Sequence, residues 1–269
     1  MSGYEIDWNS AWKQAREKRP RKKDPTFWNR RAPSFGKHVM ESDYEKHFLE
    51  LMQPLPSWSA LDVGCGSGTL AVPLAGRIAS VTALDFSSEM LSQLQQRCQD
   101  GGIDNITAIH GSWEDDWEKL GIETVDVAIA SRSIVVDDLC EALTKLDRAA
   151  RQRVYLSTIV GDGPSDRRII NAVGRAFERG PDYIYVYNLL HQMGIYANVS
   201  FITTSEWKRY VSVDDAIDGM SWMLHDMSIE EENRLRSYLA AELVFHESGW
   251  RLPSPKVVRW AVISWEKGV

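Results

Sequence analysis

Cysteine is scarce. The 269 residues hold three, Cys65, Cys98 and Cys140, with no paired spacing among them. A scattered, odd-numbered set argues against a disulfide framework and against a cysteine-held metal, and it fits reduced thiols. Long apolar runs are missing too. Nothing approaches the ~18 residues of a membrane span, and the opening MSGYEIDWNSAWKQAREK is polar, without a signal-peptide core. No cluster of metal-ligating side chains stands out, and the chain has no internal repeat or low-complexity segment. The expectations are a cytoplasmic protein with no membrane partner and no metal.

What is present is the composition of an ordinary globular protein, 43% hydrophobic and 26% charged. That is enough for one large domain, or a domain with a cap. The net charge of −7 is unevenly spread: residues 13–23 carry seven basic side chains against Glu17, so the remainder carries −13. Such a balance disfavours a broad phosphate-binding surface, and nucleic acid is not an expected partner. The basic run reads as a solvated helix end and linker, with contact to RNA or an acidic substrate as the alternative. Eleven tryptophans suggest aromatic walls around a ligand or at a cap.

The chain is organised around Ser59–Phe86. Ala60-Leu61-Asp62-Val63 has the continuous apolar character of a buried parallel strand. Gly64, Gly66 and Gly68 follow, then a short helix to Ala75 and a second strand, Val81–Leu84, closed by Asp85. Glycines let the backbone turn sharply and approach a ligand, the loop's N–H groups and the helix start suit an anionic group, and an acid ending the next strand suits ribose hydroxyls. The spacing is G-x-G-x-G rather than the G-x-G-x-x-G of dinucleotide sites, and Asp62 precedes the first glycine by two, placed for a cation rather than a pyrophosphate.

This segment resembles the first motif, (D/E)-x-G-x-G-x-G, of the class I S-adenosylmethionine (SAM) methyltransferases. Asp62-Val63-Gly64-Cys65-Gly66-Ser67-Gly68 matches at each defined position, and Asp85 stands 17 residues after Gly68, as the family's ribose-binding acid does. Phe86-Ser87-Ser88-Glu89-Met90-Leu91, Gly111-Ser112-Trp113-Glu114-Asp115 and Val125–Ser131 are similar to the segments that follow, so the likeness spans residues 59–160. It implies a Rossmann-like three-layer α/β/α fold with a mostly parallel seven-stranded sheet and an antiparallel last strand. It also implies SAM as cofactor, S-adenosylhomocysteine as product, and Asp62, Gly64, Cys65, Gly66, Gly68, Asp85, Phe86, Met90, Trp113, Glu114 and Ser131 as cofactor-binding residues.

Residues 1–56 are expected to form a helical lid. Trp8 and Trp12 share one helix, a Phe27-Trp28-x-x-Arg31-Ala32-x-x-Phe35 segment resembles family lids, and Val39, Tyr44, Phe48, Leu49 and Met52 form a stripe ended by Pro54 and Pro56. Trp28 is a candidate aromatic face for the sulfonium, though packing of the lid on the core serves equally well as its role. The methyltransferase domain then spans 57–269, with a helix at 167–177, a sixth strand at 197–203, a helical insertion at about 205–250 and a final strand Val257–Trp265.

Arg132, after the fourth strand, either binds an acceptor's carboxylate or phosphate or pairs with Asp137 or Asp138. Arg31 and Tyr185 are further substrate candidates. No catalytic base is identified; Arg132 and His191 are candidates, as is His38, and transfer needs a base only if the acceptor arrives protonated. The functional expectation is methylation of a small molecule, an anionic one if Arg132 binds the acceptor, by a monomer or homodimer. The alternatives are an RNA or protein methyltransferase, for which the Asn/Asp-Pro-Pro-Tyr/Phe signature is absent, and a SAM-binding regulator without catalysis.

Overall fold

A computed structural model describes residues 6–18, 26, 28–29, 43–224, 226–247 and 249–268. Its centre is a seven-stranded sheet. Strands β1 (Ser59–Val63), β2 (Ser80–Asp85), β3 (Ile106–His110), β4 (Val125–Ser131) and β5 (Ala150–Ile159) run parallel, and β6 (Asn198–Glu206) lies at the far edge. Two short strands, β7 (Val244–His246) and β8 (Gly249–Arg251), pair as a hairpin, and the last strand, β9 (Lys256–Glu266), is antiparallel to β5. The order across the sheet is β3-β2-β1-β4-β5-β9-β6. It reverses at β1 and β4, and in such sheets the crevice beyond the carboxyl ends at that point is where ligands bind.

Burial on both faces explains the unbroken apolar runs. Ala60, Leu61, Val127, Ala128, Ile129, Val154 and Leu156 are fully covered. Helices flank both faces. The helix Ser88–Gly101 begins where Ser87 accepts from the Met90 amide and ends at Gly102, whose φ of 62° makes the left-handed cap. The helix Leu139–Ala149 is capped by Asp138, which accepts from the Glu141 amide. At the amino end, the helix Trp8–Glu17 buries Trp12, whose indole N–H donates to the Val136 carbonyl at 2.9 Å. The expected stripe over 38–52 appears as the helix Tyr44–Met52, ended by a left-handed Gln53, while its part at 38–42 lies outside the described residues.

The chain forms two compact units. One takes residues up to Ile159, Pro181–Ile202 and Trp260 onward; the other takes Val160–Gly180 and Thr203–Arg259. The second unit has its own core, in which Ile169, Val173, Ala216, Leu235 and Leu239 are fully buried. Its helices are Arg167–Ala172, Val213–Met220 and Ile229–Glu242, the last opened by a capping box between Ser228 and Glu231. Two details differ from expectation. The helix at 167 stops at Ala172, since Gly174 turns the chain at φ 84° and the Arg175 amide closes back onto Ile170. The stretch 205–250 is not wholly helical, because Phe245 and Trp250 face each other at 5.4 Å across the hairpin. Among the described residues, no helix is long and apolar enough to cross a membrane.

Candidate cofactor and acceptor site

The glycine loop leaves β1 by pairing with β2: the amides of Gly64 and Cys65 both donate to the Leu84 carbonyl, at 2.7 and 3.1 Å. Gly64, Gly66 and Gly68 all have left-handed φ, at 71°, 56° and 81°. The first is closed to any side chain, since a Cβ there would lie 2.4 Å from Ser133 Cβ. Cys65 is buried, its thiol pushed up by burial, and fills space beneath the loop.

Asp85 sits at the end of β2, 6% exposed, with one oxygen accepting from the Gly66 amide at 2.8 Å and the other from the Ser87 amide at 2.9 Å. Each carboxylate oxygen keeps a further lone pair, so the group remains able to accept from a ribose diol. Burial raises its pKa, and the two amides act against that rise. Asp62 is 2% exposed, and burial together with the charge of Asp85 moves its pKa up to about 7. Two carboxylates therefore share one desolvated pocket, opposed by a backbone amide at Ala71 and the more distant charge of Arg132. Such a pair is costly when empty and is relieved by a cation. SAM brings an ammonium, a sulfonium and a ribose diol, so the donor set fits it.

Next to this, Ser87 Oγ donates to Asn29 Oδ1 at 2.6 Å, tying the amino-terminal segment to the loop after β2. Trp28, beside Asn29, is half-buried, as is Phe86, whose carbonyl meets His110 Nε2 at 3.1 Å. Met90 is buried beneath. After β3, the Trp113 indole donates to the Ser133 carbonyl at 3.1 Å and packs on Trp117 at 5.7 Å, while Lys145 Nζ donates to the carbonyls of Trp113 and Asp115 at 2.5 and 2.6 Å. The Glu114 side chain is exposed. It is Asp115 that closes this turn, accepting from the Ser112 amide and hydroxyl.

At the ends of β4 and β5 the Tyr44 hydroxyl lies 2.8 Å from Ser131 Oγ and 2.5 Å from Ser157 Oγ. Arg132, with a left-handed φ of 57°, is held by its amide on the Ser157 carbonyl and hydroxyl. Its guanidinium lies 4.1 Å from the Tyr44 ring centre and 5.5 Å from that of Trp260. It pairs with neither acid that follows it: Asp138 takes Lys13 at 2.5 Å, and Asp137 faces Arg16 at 3.9 Å.

The structure thus brings Asp62, the three glycines, Cys65, Asp85, Phe86, Met90, Trp113, Ser131 and Arg132 to the carboxyl ends of neighbouring strands. Tyr185 and His191 are elsewhere, on the helix Tyr183–Gln192. There Tyr185 packs edge-on against Trp8 and Trp12, and His191 is exposed against Tyr196. Arg31, His38, Phe27, Phe35 and the basic run from 19 to 23 lie outside the described residues. Sequence reasoning missed Asn29, Ser157 and the role of Tyr44. A tyrosine hydroxyl on an otherwise apolar helix stripe was the one available signal for the last, because a buried hydroxyl needs a partner.

A family model described as a methyltransferase domain matches residues 60–153, the section that carries these loops. Over 244 residues the chain is 34% identical to an uncharacterized protein of Haemophilus influenzae, covering 90% of this chain and 89% of that one. A demethylmenaquinone methyltransferase of Oceanobacillus iheyensis is 30% identical over 105 residues, 38% of this chain and 43% of its own. In fold, the chain is similar to the YcgJ protein of Bacillus subtilis, with a TM-score of 0.57 at 15% identity over 83% of this chain and 97% of that one. The chain belongs to the class I SAM-dependent methyltransferases.

Proposed function

We propose that the protein methylates a small molecule bearing an anionic group, and that Arg132 receives that group. The observation that carries this reading is the guanidinium itself, stacked on Tyr44 beside the switch point, with no carboxylate within ion-pair distance among the described residues. A planar fork held this way offers two parallel N–H donors to a carboxylate or phosphate. The overall negative charge supports a small acceptor over a nucleic acid.

In this reading SAM supplies the activated methyl group. The glycine loop and Asp62 hold its amino-acid end, Asp85 holds the ribose, and Phe86, Met90, Trp113 and Glu114 border the adenine. Ser131 and Trp28 stand toward the sulfonium, and residues 1–56 close over the whole as a lid. What the chain contributes to rate is position and exclusion of water: holding the acceptor atom in line at roughly 3 Å can supply ~7–11 kcal/mol.

The test is transfer of label from SAM carrying a radioactive methyl group, with cell extract split into a fraction below 1 kDa, an RNA fraction and a protein fraction. Label should enter the small fraction and be retained on an anion exchanger. Arg132→Ala should lose that transfer while binding S-adenosylhomocysteine within about threefold of wild type, a difference below 1 kcal/mol. Label entering RNA or protein instead, or an Arg132→Ala variant with unchanged KM, would overturn the reading.

A further inference from the structure

The turn at 111–117, after β3, is held from three sides. Gly111 opens it by donating its amide to the Asp85 carbonyl at 3.0 Å. A Cβ at Gly111 would lie 2.5 Å from Leu120 Cδ1, so the chain is pressed on its own core there. Trp113 fastens the turn to the segment behind the glycine loop: its indole donates to the Ser133 carbonyl at 3.1 Å, and the Ser133 hydroxyl donates to the Val63 carbonyl at 2.5 Å. The turn is thereby tied to the strand ends that carry Asp85 and Gly64.

The third tie comes from outside. Lys145, half-buried on the helix Leu139–Ala149, donates its ammonium to the Trp113 carbonyl at 2.5 Å and to the Asp115 carbonyl at 2.6 Å. Its nitrogen lies 4.8 Å from the Trp117 ring centre. Hydrogen bonds from a charged donor are roughly twice as strong as neutral ones, so this lysine fixes two peptide units of the turn by their oxygens.

The effect on what the turn presents is one-sided. The Ser112 carbonyl is also taken, by the Trp117 indole at 2.9 Å. The amides of Ser112 and Glu114 donate within the turn, to the Asp115 carboxylate and the Ser112 hydroxyl. Those of Trp113 and Asp115 donate to no described residue. What remains for a ligand is two backbone donors and the exposed Glu114 carboxylate, which acts on Arg16 through its charge but hydrogen-bonds to no described residue. Adenine matches that set, since its ring nitrogens accept and its amino group donates. Hypoxanthine, with a carbonyl in place of the amino group and a proton on N1, reverses both. A peptide plane carries C=O and N–H on opposite sides, so a carbonyl held by Lys145 cannot swing round to meet the base.

We propose that Lys145 is a positioning residue for the cofactor: by holding the Trp113 and Asp115 carbonyls, it makes the site select adenine over hypoxanthine. The inference rests on the reading in which Trp113 and Glu114 border the adenine, and Lys145 acts only through the turn.

Calorimetric titration of the full chain with S-adenosylhomocysteine and with S-inosylhomocysteine, its deaminated form, tests it. Wild type should bind the adenine form at least about 30-fold tighter, the effect of two mispaired hydrogen bonds. In Lys145→Met, which keeps helix propensity and the packing on Trp117, that ratio should fall by about tenfold, chiefly through weaker binding of S-adenosylhomocysteine. Lys145→Arg still offers donors to both carbonyls and should keep the ratio within about threefold of wild type. Thermal unfolding of each variant is measured alongside, because a lysine that only stapled the turn would lower stability, or weaken both ligands alike, and leave the ratio unchanged. A wild-type ratio that survives in Lys145→Met, or a Lys145→Arg protein no more selective than Lys145→Met, would overturn the proposal and leave the adenine reading standing. Wild type that binds neither ligand, or both equally, would overturn that reading and the proposal with it.

Discussion

If Asp62 holds the amino-acid end of the cofactor as proposed, binding there depends on pH in a way that can be worked through. In the ligand-free chain its carboxyl is pushed up to about 7 by burial and by the neighbouring Asp85. Below pH 7 it is therefore mostly protonated, and a cationic ligand that needs the ionised form must displace that proton. If the cation returns the group to the ordinary carboxylate value near 3.9, affinity for S-adenosylhomocysteine should rise about tenfold per pH unit from pH 5 to 7 and level off above. The total is on the order of 100-fold, about 2.7 kcal/mol at 1.36 kcal/mol per unit. The same shift acts on folding with a definite sign. Between pH 4 and 7 the folded chain binds more protons than the unfolded one, so stability falls as pH rises through that window and the loss is complete above 7. Moving the group from 3.8 to about 7 costs the ligand-free protein up to about 4 kcal/mol at pH 8. Calorimetry in two buffers of different ionisation enthalpy counts the proton directly. It should find close to one proton released per ligand bound at pH 5.5 and near none at pH 8.5, with about a quarter of one at pH 7.5. Asp62→Asn should bind weakly with a flat profile, and in the absence of ligand it should unfold at a higher temperature than wild type at pH 8. A flat profile in wild type, or an equally steep one in Asp62→Asn, would refute the reasoning.

Two further substitutions probe the loops on either side. Gly64→Ala forces a Cβ to within 2.4 Å of Ser133 Cβ on a backbone at φ 71°, so it should cost about 2–4 kcal/mol of stability by chemical denaturation and abolish S-adenosylhomocysteine binding. Tyr44→Phe removes the hydroxyl that joins Ser131 and Ser157 but leaves those two at 3.3 Å from one another. It should therefore cost only about 1–2 kcal/mol, keep cofactor affinity, and change the KM for the acceptor by way of Arg132. A Tyr44→Phe protein with wild-type KM would detach Arg132 from acceptor binding.

Parts of this molecule were legible in the sequence because their causes are local. Gly64, Gly66 and Gly68 advertise left-handed backbone, the run before them advertises a strand buried on both faces, and Asp85 advertises a strand end that needs a donor. Each lies within a few residues of its reason, and the sheet with its antiparallel last strand follows once those pieces are in order. The hairpin at 244–251 was hidden by its size: two strands of three residues carry almost no period against the helical pattern that precedes them.

Arg132 shows why the acceptor side resists such reading. In sequence its nearest opposite charges are Asp137 and Asp138, and an ion pair with one of them is the economical guess. In space those acids are taken by Arg16 and Lys13, from a helix more than 100 residues earlier, and the guanidinium instead meets a tyrosine 88 positions upstream and a tryptophan 128 downstream. The amino-terminal helix thus does more than bury Trp12. It also pairs with the acids after β4, and Arg132 has no carboxylate within ion-pair distance among the described residues, its charge bearing instead on Asp62.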